Sequence, residues 1–140
     1  MSKREEIKLV LCTKDYWEFV RQLRLDPRVS AGFIETRQIT PQEQVEYMLV
    51  HHHDYRVALI GNEPVGYVGV VEDDIRICTH PHAQGKGVGK FMLAQIQKIW
   101  PDAHAKIKHA NIASRQLFES AGFELYRSDE EFGYFKRKAF

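Results

Sequence analysis

The clearest chemical signature in the chain is Gln84-Gly85-Lys86-Gly87-Val88-Gly89-Lys90, set between His80-Pro81-His82-Ala83 and an amphipathic stretch. Glycines at alternate positions strip Cβ atoms from one side of the backbone, so successive amide N–H groups can converge on one anion where the next helix starts. The guest of such a turn is a phosphate or pyrophosphate. Upstream, Glu72, Asp73 and Asp74 form an acidic trio with His80 behind it, supplying either proton acceptors or a solvated turn. His51-His52-His53 invites a metal reading, but three consecutive residues cannot all point one way from a helix or strand. They read as a polar helix end, and no metal is expected. Cys12 and Cys78 lie in apolar runs without metal-ligand spacing and read as small buried hydrophobes.

These groups need elements to hold them. Ile7–Cys12 is rich in strand formers. Thr13 as N-cap, with Tyr16, Val20 and Leu23 at helical spacing, predicts a helix from Lys14 to Leu25 that Asp26-Pro27 closes. Residues 28–39 show no sustained period and read as a loop or broken helix, of a length that often carries function. Thr40, Pro41 and Glu43 form a capping box for a second helix, with Val45, Met48 and Leu49 on its buried face. Asp54–Ile60 and Pro64–Val71 predict a β-hairpin around Gly61-Asn62-Glu63, and Ile75–Thr79 a further strand that delivers the glycine turn. Gly87–Trp100 reads as a helix with Val88, Met92, Ile96 and Ile99 on one stripe, stopped by Pro101. After a strand at Ala103–His109, Asn111 caps a helix with Ser114, Leu117, Phe118 and Ala121 on one face and Gly122 at its end. Phe123–Tyr126 and Phe132–Lys138 pair as the last strands. The order β-α-α-β-β-β-α-β-α-β-β predicts an α+β fold, an α/β sandwich. It has one mixed, mostly antiparallel sheet of about seven strands, helices on both faces, and a single domain over residues 1–140.

At 140 residues and a net charge of +1, the chain carries no broad field that would draw it to nucleic acid or a membrane surface, so neither is an expected partner. Any anion site must be local. No apolar run reaches bilayer length, Met1-Ser2-Lys3-Arg4-Glu5-Glu6 lacks the apolar core of a signal peptide, and the expected location is cytoplasmic.

Three phosphate motifs can be compared. A Walker loop needs glycine and Ser or Thr where this chain has Gln84 and Phe91, and a dinucleotide fingerprint needs its third glycine one residue after Gly89. What remains, Gln84, Gly87 and Gly89, resembles the Gln/Arg-x-x-Gly-x-Gly/Ala motif by which the GNAT superfamily of N-acetyltransferases binds acetyl-coenzyme A. The stretch from Asn111 to Phe123, with Ser114, Leu117, Phe118 and Gly122, is similar to a second signature of that family, Asn-x-x-Ser/Ala-x-x-Leu-Tyr-x-x-x-Gly-Phe.

The resemblance implies an acetyl-coenzyme A-dependent N-acetyltransferase that transfers acetyl directly to the primary amine of a small-molecule acceptor. The alternatives are a coenzyme A-binding module of the same fold without activity, or an acetyltransferase acting on a protein or peptide amine. The pyrophosphate would rest on the amides of Gln84, Gly85, Lys86, Gly87, Val88, Gly89 and Lys90, and the pantetheine arm would run along the strand Ile75–Thr79, at Ile77, Cys78 and Thr79, between splayed strands. Asn111, Ser114 and Phe118 would face its far side, and an N–H near Ile77 or Cys78 would stabilise the oxyanion. Glu72, Asp73 or Asp74, or His80, would act as base; Cys78 is not expected to form a covalent intermediate. Phe118 stands where many members have the tyrosine that protonates the departing thiolate, so Tyr126 or Tyr134, or water, would have to substitute. Arg28, Phe33 and Arg37 would hold an anionic or ring-bearing acceptor, and Leu25-Asp26-Pro27-Arg28-Val29 resembles members acting on nucleotide-linked amino sugars. A monomer or homodimer is expected, with an exposed last strand near 132–140 available to a second copy.

Overall fold

The computed structural model describes residues 6–30 and 38–138. Strands β1 (Ile7–Leu11), β2 (Tyr55–Ile60), β3 (Glu63–Val71), β4 (Asp74–Thr79), β5 (His104–Lys108), β6 (Phe123–Ser128) and β7 (Phe132–Arg137) form one seven-stranded sheet in the order β1-β2-β3-β4-β5-β7-β6. Every neighbouring pair is antiparallel except β4 and β5. This is the mixed, mostly antiparallel sheet that the element order predicts. The interior strand β3 is buried from Val65 to Val71 without alternation, because helices cover both of its faces.

One face packs on α1 (Trp17–Leu25) and α3 (Pro41–His51): Val20, Leu23 and Met48 meet Tyr55, Tyr67 and Cys78 there. The other face packs on α4 (Val88–Ile99) and α5 (Ile112–Ser120), through Met92, Ile96 and Phe118 against Val68, Ile75 and Phe135. A four-residue helix, α2 (Pro27–Ser30), follows α1 directly. No helix among the described residues is long and apolar enough to cross a membrane.

Local signals set several boundaries. Thr40 and Glu43 make the expected reciprocal capping box, with Glu43 N donating to Thr40 Oγ1 at 3.1 Å. Thr13, in contrast, makes no side-chain cap; a 3₁₀ turn over Lys14–Tyr16 precedes α1, and the Trp17 indole N–H donates to the Cys12 carbonyl at 3.0 Å. The inward face of α3 is also one step round from the predicted stripe. Gln44 and Met48 are buried while Val45 and Leu49 are exposed, since Gln44 Nε2 finds the Trp17 carbonyl at 3.1 Å and so can enter the core. On α4, Val88, Met92 and Ile96 are buried as predicted, but Ile99 lies exposed in the last turn.

The prediction that the last strand forms an edge is corrected. β7 lies inside the sheet, between β5 and β6, and the edges are β1 and β6. The reason is burial: β7 turns Gly133 and Phe135 into the core, whereas β6 buries only Phe123 and leaves residues 124–128 exposed.

Candidate functional site

The two parallel strands pair at a single position, Asp74 opposite His104, locked by His104 N donating to the Asp73 carbonyl at 2.8 Å. Beyond it they separate. β4 is laddered to β3 along its whole length, from Asp74 to Thr79, and β5 to β7 along its whole length, from His104 to Lys108, so each follows its own half of the sheet. Between them opens a cleft of about 870 Å³ that joins the α1–α3 face to the α4–α5 face. Along it β4 presents a backbone edge with no strand partner among the described residues, the template onto which an extended ligand can add as a strand.

The glycine turn closes one end. Gly85 and Gly87 have φ of +81° and +82°, a left-handed backbone in which other residues are strained, and Gly87 is the N-cap of α4. The first bond into the helix runs from Phe91 N to Gly87 O at 3.0 Å, which leaves the amides ahead of it open for an anion. Gly89 serves a different purpose. A Cβ there would stand 3.0 Å from the Leu117 side chain and 3.6 Å from Thr79 Oγ1, so this glycine lets α5 approach α4. Gln84 Nε2 reaches the Thr79 carbonyl only at 3.5 Å, and Gln84, Gly85, Gly87, Val88, Gly89 and Lys90 line the cleft while Lys86 stands exposed outside it. Across the gap, Asn111 caps α5 by accepting from Ser114 N at 3.1 Å. Ser114 and Phe118 follow on the cleft side, one turn apart, but Phe118 brings no hydroxyl and packs edge-on against Phe123.

The other end is built from side chains. Alternation along β4 places Asp74, Arg76 and Cys78 toward α1–α3, and Ile75 and Ile77 toward α4–α5. Arg76 donates to Tyr47 Oη at 3.1 Å, Tyr47 and Tyr55 share a hydroxyl contact of 2.8 Å, and Arg76 Nε lies 3.8 Å from Asp74 Oδ2. Burial raises the Asp74 carboxyl above its ordinary value, against the pull of Arg76. Burial also pushes the Cys78 thiol up to about 12, with Asp26 adding to the effect, so it stays protonated rather than nucleophilic. Arg28 lines the cleft with its guanidinium held by Asp26, at 2.6 Å between Nη2 and Oδ2. That fork holds the Asp26 carboxyl down at about 2.

Several predicted site residues are not brought to the cleft. Glu72 and Asp73 form the β3–β4 turn, both at positive φ and exposed to solvent. His80 sits at the end of β4 with its ring 3.8 Å from that of His82; burial, then the neighbouring imidazole, lowers its pKa. Tyr126 is exposed on the edge strand β6, and the Tyr134 hydroxyl donates to Asp129 Oδ2 at 3.0 Å. Phe33 and Arg37 lie outside the described residues. Conversely, Arg24, Tyr47, Tyr55 and Arg76 line the cleft without having been singled out from the sequence. The spacing of Arg76 from Asp74 and Cys78 carried a signal for it, since alternate strand residues share a face. The tyrosines gave none.

Residues 51–125, more than half the chain, match the sequence model of a family described as acetyltransferase (GNAT) domain. No curated protein sequence matches significantly. Among solved structures, a domain from Methanocaldococcus jannaschii superposes with a TM-score of 0.79 at 24% identity, covering 94% of this chain and 98% of that one. Spermidine N-acetyltransferase from Vibrio cholerae, in complex with CoA and spermine, has a TM-score of 0.78 at 16% identity, covering 92% of this chain and 93% of that one. Ribosomal-protein-alanine N-acetyltransferase from Brucella melitensis has a TM-score of 0.79 at 15% identity, covering 91% and 97%. At these identities the likeness is one of fold.

Proposed function

Since the chain belongs to the GNAT acetyltransferase family, we propose that it moves an acetyl group from acetyl-coenzyme A directly to the primary amine of a small acceptor. The observation that carries this reading is the cleft through the sheet, which joins an anion-ready turn, an unpaired β4 edge and a polar pocket on the opposite face. The donor fits its end: among the described residues lining the cleft, Asp74 is the single carboxylate, and it lies away from the glycine turn. When bound, acetyl-coenzyme A supplies an activated acyl group on a good thiolate leaving group.

The chain's own residues do the rest. Open amides between Gly85 and Lys90, at the positive end of α4, hold the pyrophosphate. The free edge of β4 orients the pantetheine arm, Asn111 and Ser114 line its far side, and a backbone N–H at Ile77 or Cys78 stabilises the oxyanion. Asp74, with its raised carboxyl pKa, accepts a proton from the acceptor ammonium so that a neutral amine attacks. In place of the missing phenol at Phe118, a water would relay the proton that the attacking nitrogen loses to the departing thiolate, so that amide and free thiol form together.

The two named acetyltransferases act, by their names, on a polyamine and on a ribosomal-protein alanine, so the acceptor must be read from side chains rather than from the fold. A nucleotide-linked amino sugar is one small acceptor of the proposed class. The unbridged, buried thiols of Cys12 and Cys78 support a cytoplasmic setting. Melting with acetyl-coenzyme A at about 100 times its dissociation constant should stabilise the protein by roughly 2.7 kcal/mol, and an amine panel should release free thiol. Absence of any melting shift would remove the donor assignment.

A further inference from the structure

Resting on that acetyltransferase reading, we infer that the acceptor is an amine that also carries an anionic group, a carboxylate or a phosphate, which Arg24 and Arg76 hold on the α1–α3 side of the cleft. Among the described residues, three arginines line this side, Arg24, Arg28 and Arg76, against the one carboxylate of Asp74. Arg28 is already satisfied, because both Nε (3.0 Å) and Nη2 (2.6 Å) grip the Asp26 carboxylate. Arg76 is shared among the Tyr47 hydroxyl, the neighbouring Tyr55 hydroxyl and a longer approach to Asp74, and the rest of its five N–H groups are left for the cleft it lines. Arg24 is different. It is partly buried in the last turn of α1, its charge bears on Tyr67, and it has no hydrogen-bond or ion-pair partner among the described residues.

A guanidinium withdrawn from water needs a partner, and the C-terminal end of a helix offers only a partial countercharge. A planar anion can take up that fork bidentately. The same cations disfavour an acceptor with several ammonium groups, which would set like charges together around one carboxylate. They also lower the pKa of the amine to be acetylated, favouring its neutral form. Tyr47, Tyr55 and Tyr67 wall the space between with rings and hydroxyls, which suits a compact acceptor with an apolar body.

The test compares twins that differ only in the anion: an α-amino acid and its amide, glucosamine 6-phosphate and glucosamine, with spermidine as the polycationic control. In the wild type the anionic twin should be favoured by at least about tenfold in kcat/KM, and the winning pair distinguishes carboxylate from phosphate. Arg24→Gln should erase that preference mainly through KM, and Arg24→Lys should restore part of it. A readout independent of turnover is the melting temperature of the coenzyme A complex, which inorganic phosphate or acetate should raise more in the wild type than in Arg24→Gln. Preference for spermidine or the neutral twins, survival of the preference in Arg24→Gln, or equal anion shifts in both proteins would overturn the inference. A protein that melts higher with acetyl-coenzyme A but prefers spermidine refutes the anionic acceptor alone, whereas one with no such shift refutes the acetyltransferase reading beneath it.

Discussion

On the α4 side of the cleft the groups that face a ligand are main-chain amides, while on the α1–α3 side they are side chains gathered from α1, α3, β2, β3 and β4. The amide side depends on two left-handed glycines and one helix start, all within Gly85–Lys90. The side-chain side depends on Arg24, Tyr47, Tyr55 and Arg76, which are brought together only by packing across the sheet. A backbone site serves one invariant anion and tolerates little change. A site made of side chains can be rewritten for a new acceptor without touching the donor, which fits one fold serving a spermidine N-acetyltransferase and a ribosomal-protein-alanine N-acetyltransferase.

The comparison can be broken at either end, and the largest effect should come from the backbone. Gly87→Val forces a β-branched residue into φ of +82° at the N-cap of α4, so the whole acetyl-coenzyme A melting shift of about 2.7 kcal/mol should vanish, and turnover with it. A retained shift would show that the amide cradle is not the donor site. Next, Asp74→Asn should lower kcat by about a hundredfold through loss of the general base, with the donor shift intact. Because the folded pKa of Asp74 is raised above 3.8, the rate should climb with pH through a limb above the ordinary carboxylate value, and that limb should be absent in the variant. The sign for stability is opposite: this half-buried carboxylate favours the folded state below its unfolded pKa and loses that advantage as pH rises through the folded one. Asp74→Asn should therefore melt no lower than wild type at neutral pH. The smallest effect is Tyr47→Phe, which removes one hydroxyl from Arg76 and Tyr55. It should cost about threefold to tenfold in kcat/KM for the acceptor, read from steady-state rates, with donor affinity unchanged.

Much of the donor side was legible before any coordinates, because the features that matter there are local. Alternate glycines and a capping asparagine at position 111 each act within a few residues. The acceptor side was legible only in part. Asp74 lines the cleft, whereas its neighbours Glu72 and Asp73, equal to it as sequence, turn away at positive φ in an exposed turn. The glycine pattern points Gly89 at the anion, and its close approach to Leu117 adds a matter of helix packing that no local pattern encodes. The place of β7 inside the sheet depends on which strand of the last hairpin has the more burial to gain against β5.

From its residues alone the chain determines the element order, the family resemblance and the phosphate-ready turn, since propensity, capping and backbone conformation act over short separations. The splay of β4 from β5 beyond Asp74 and His104, the cleft it opens, and the gathering there of three tyrosines and an Arg24 that has no partner among the described residues were decided only by the tertiary structure. They arise where two half-sheets twist apart and where residues distant in sequence share one space, and no short-range rule can count such neighbours.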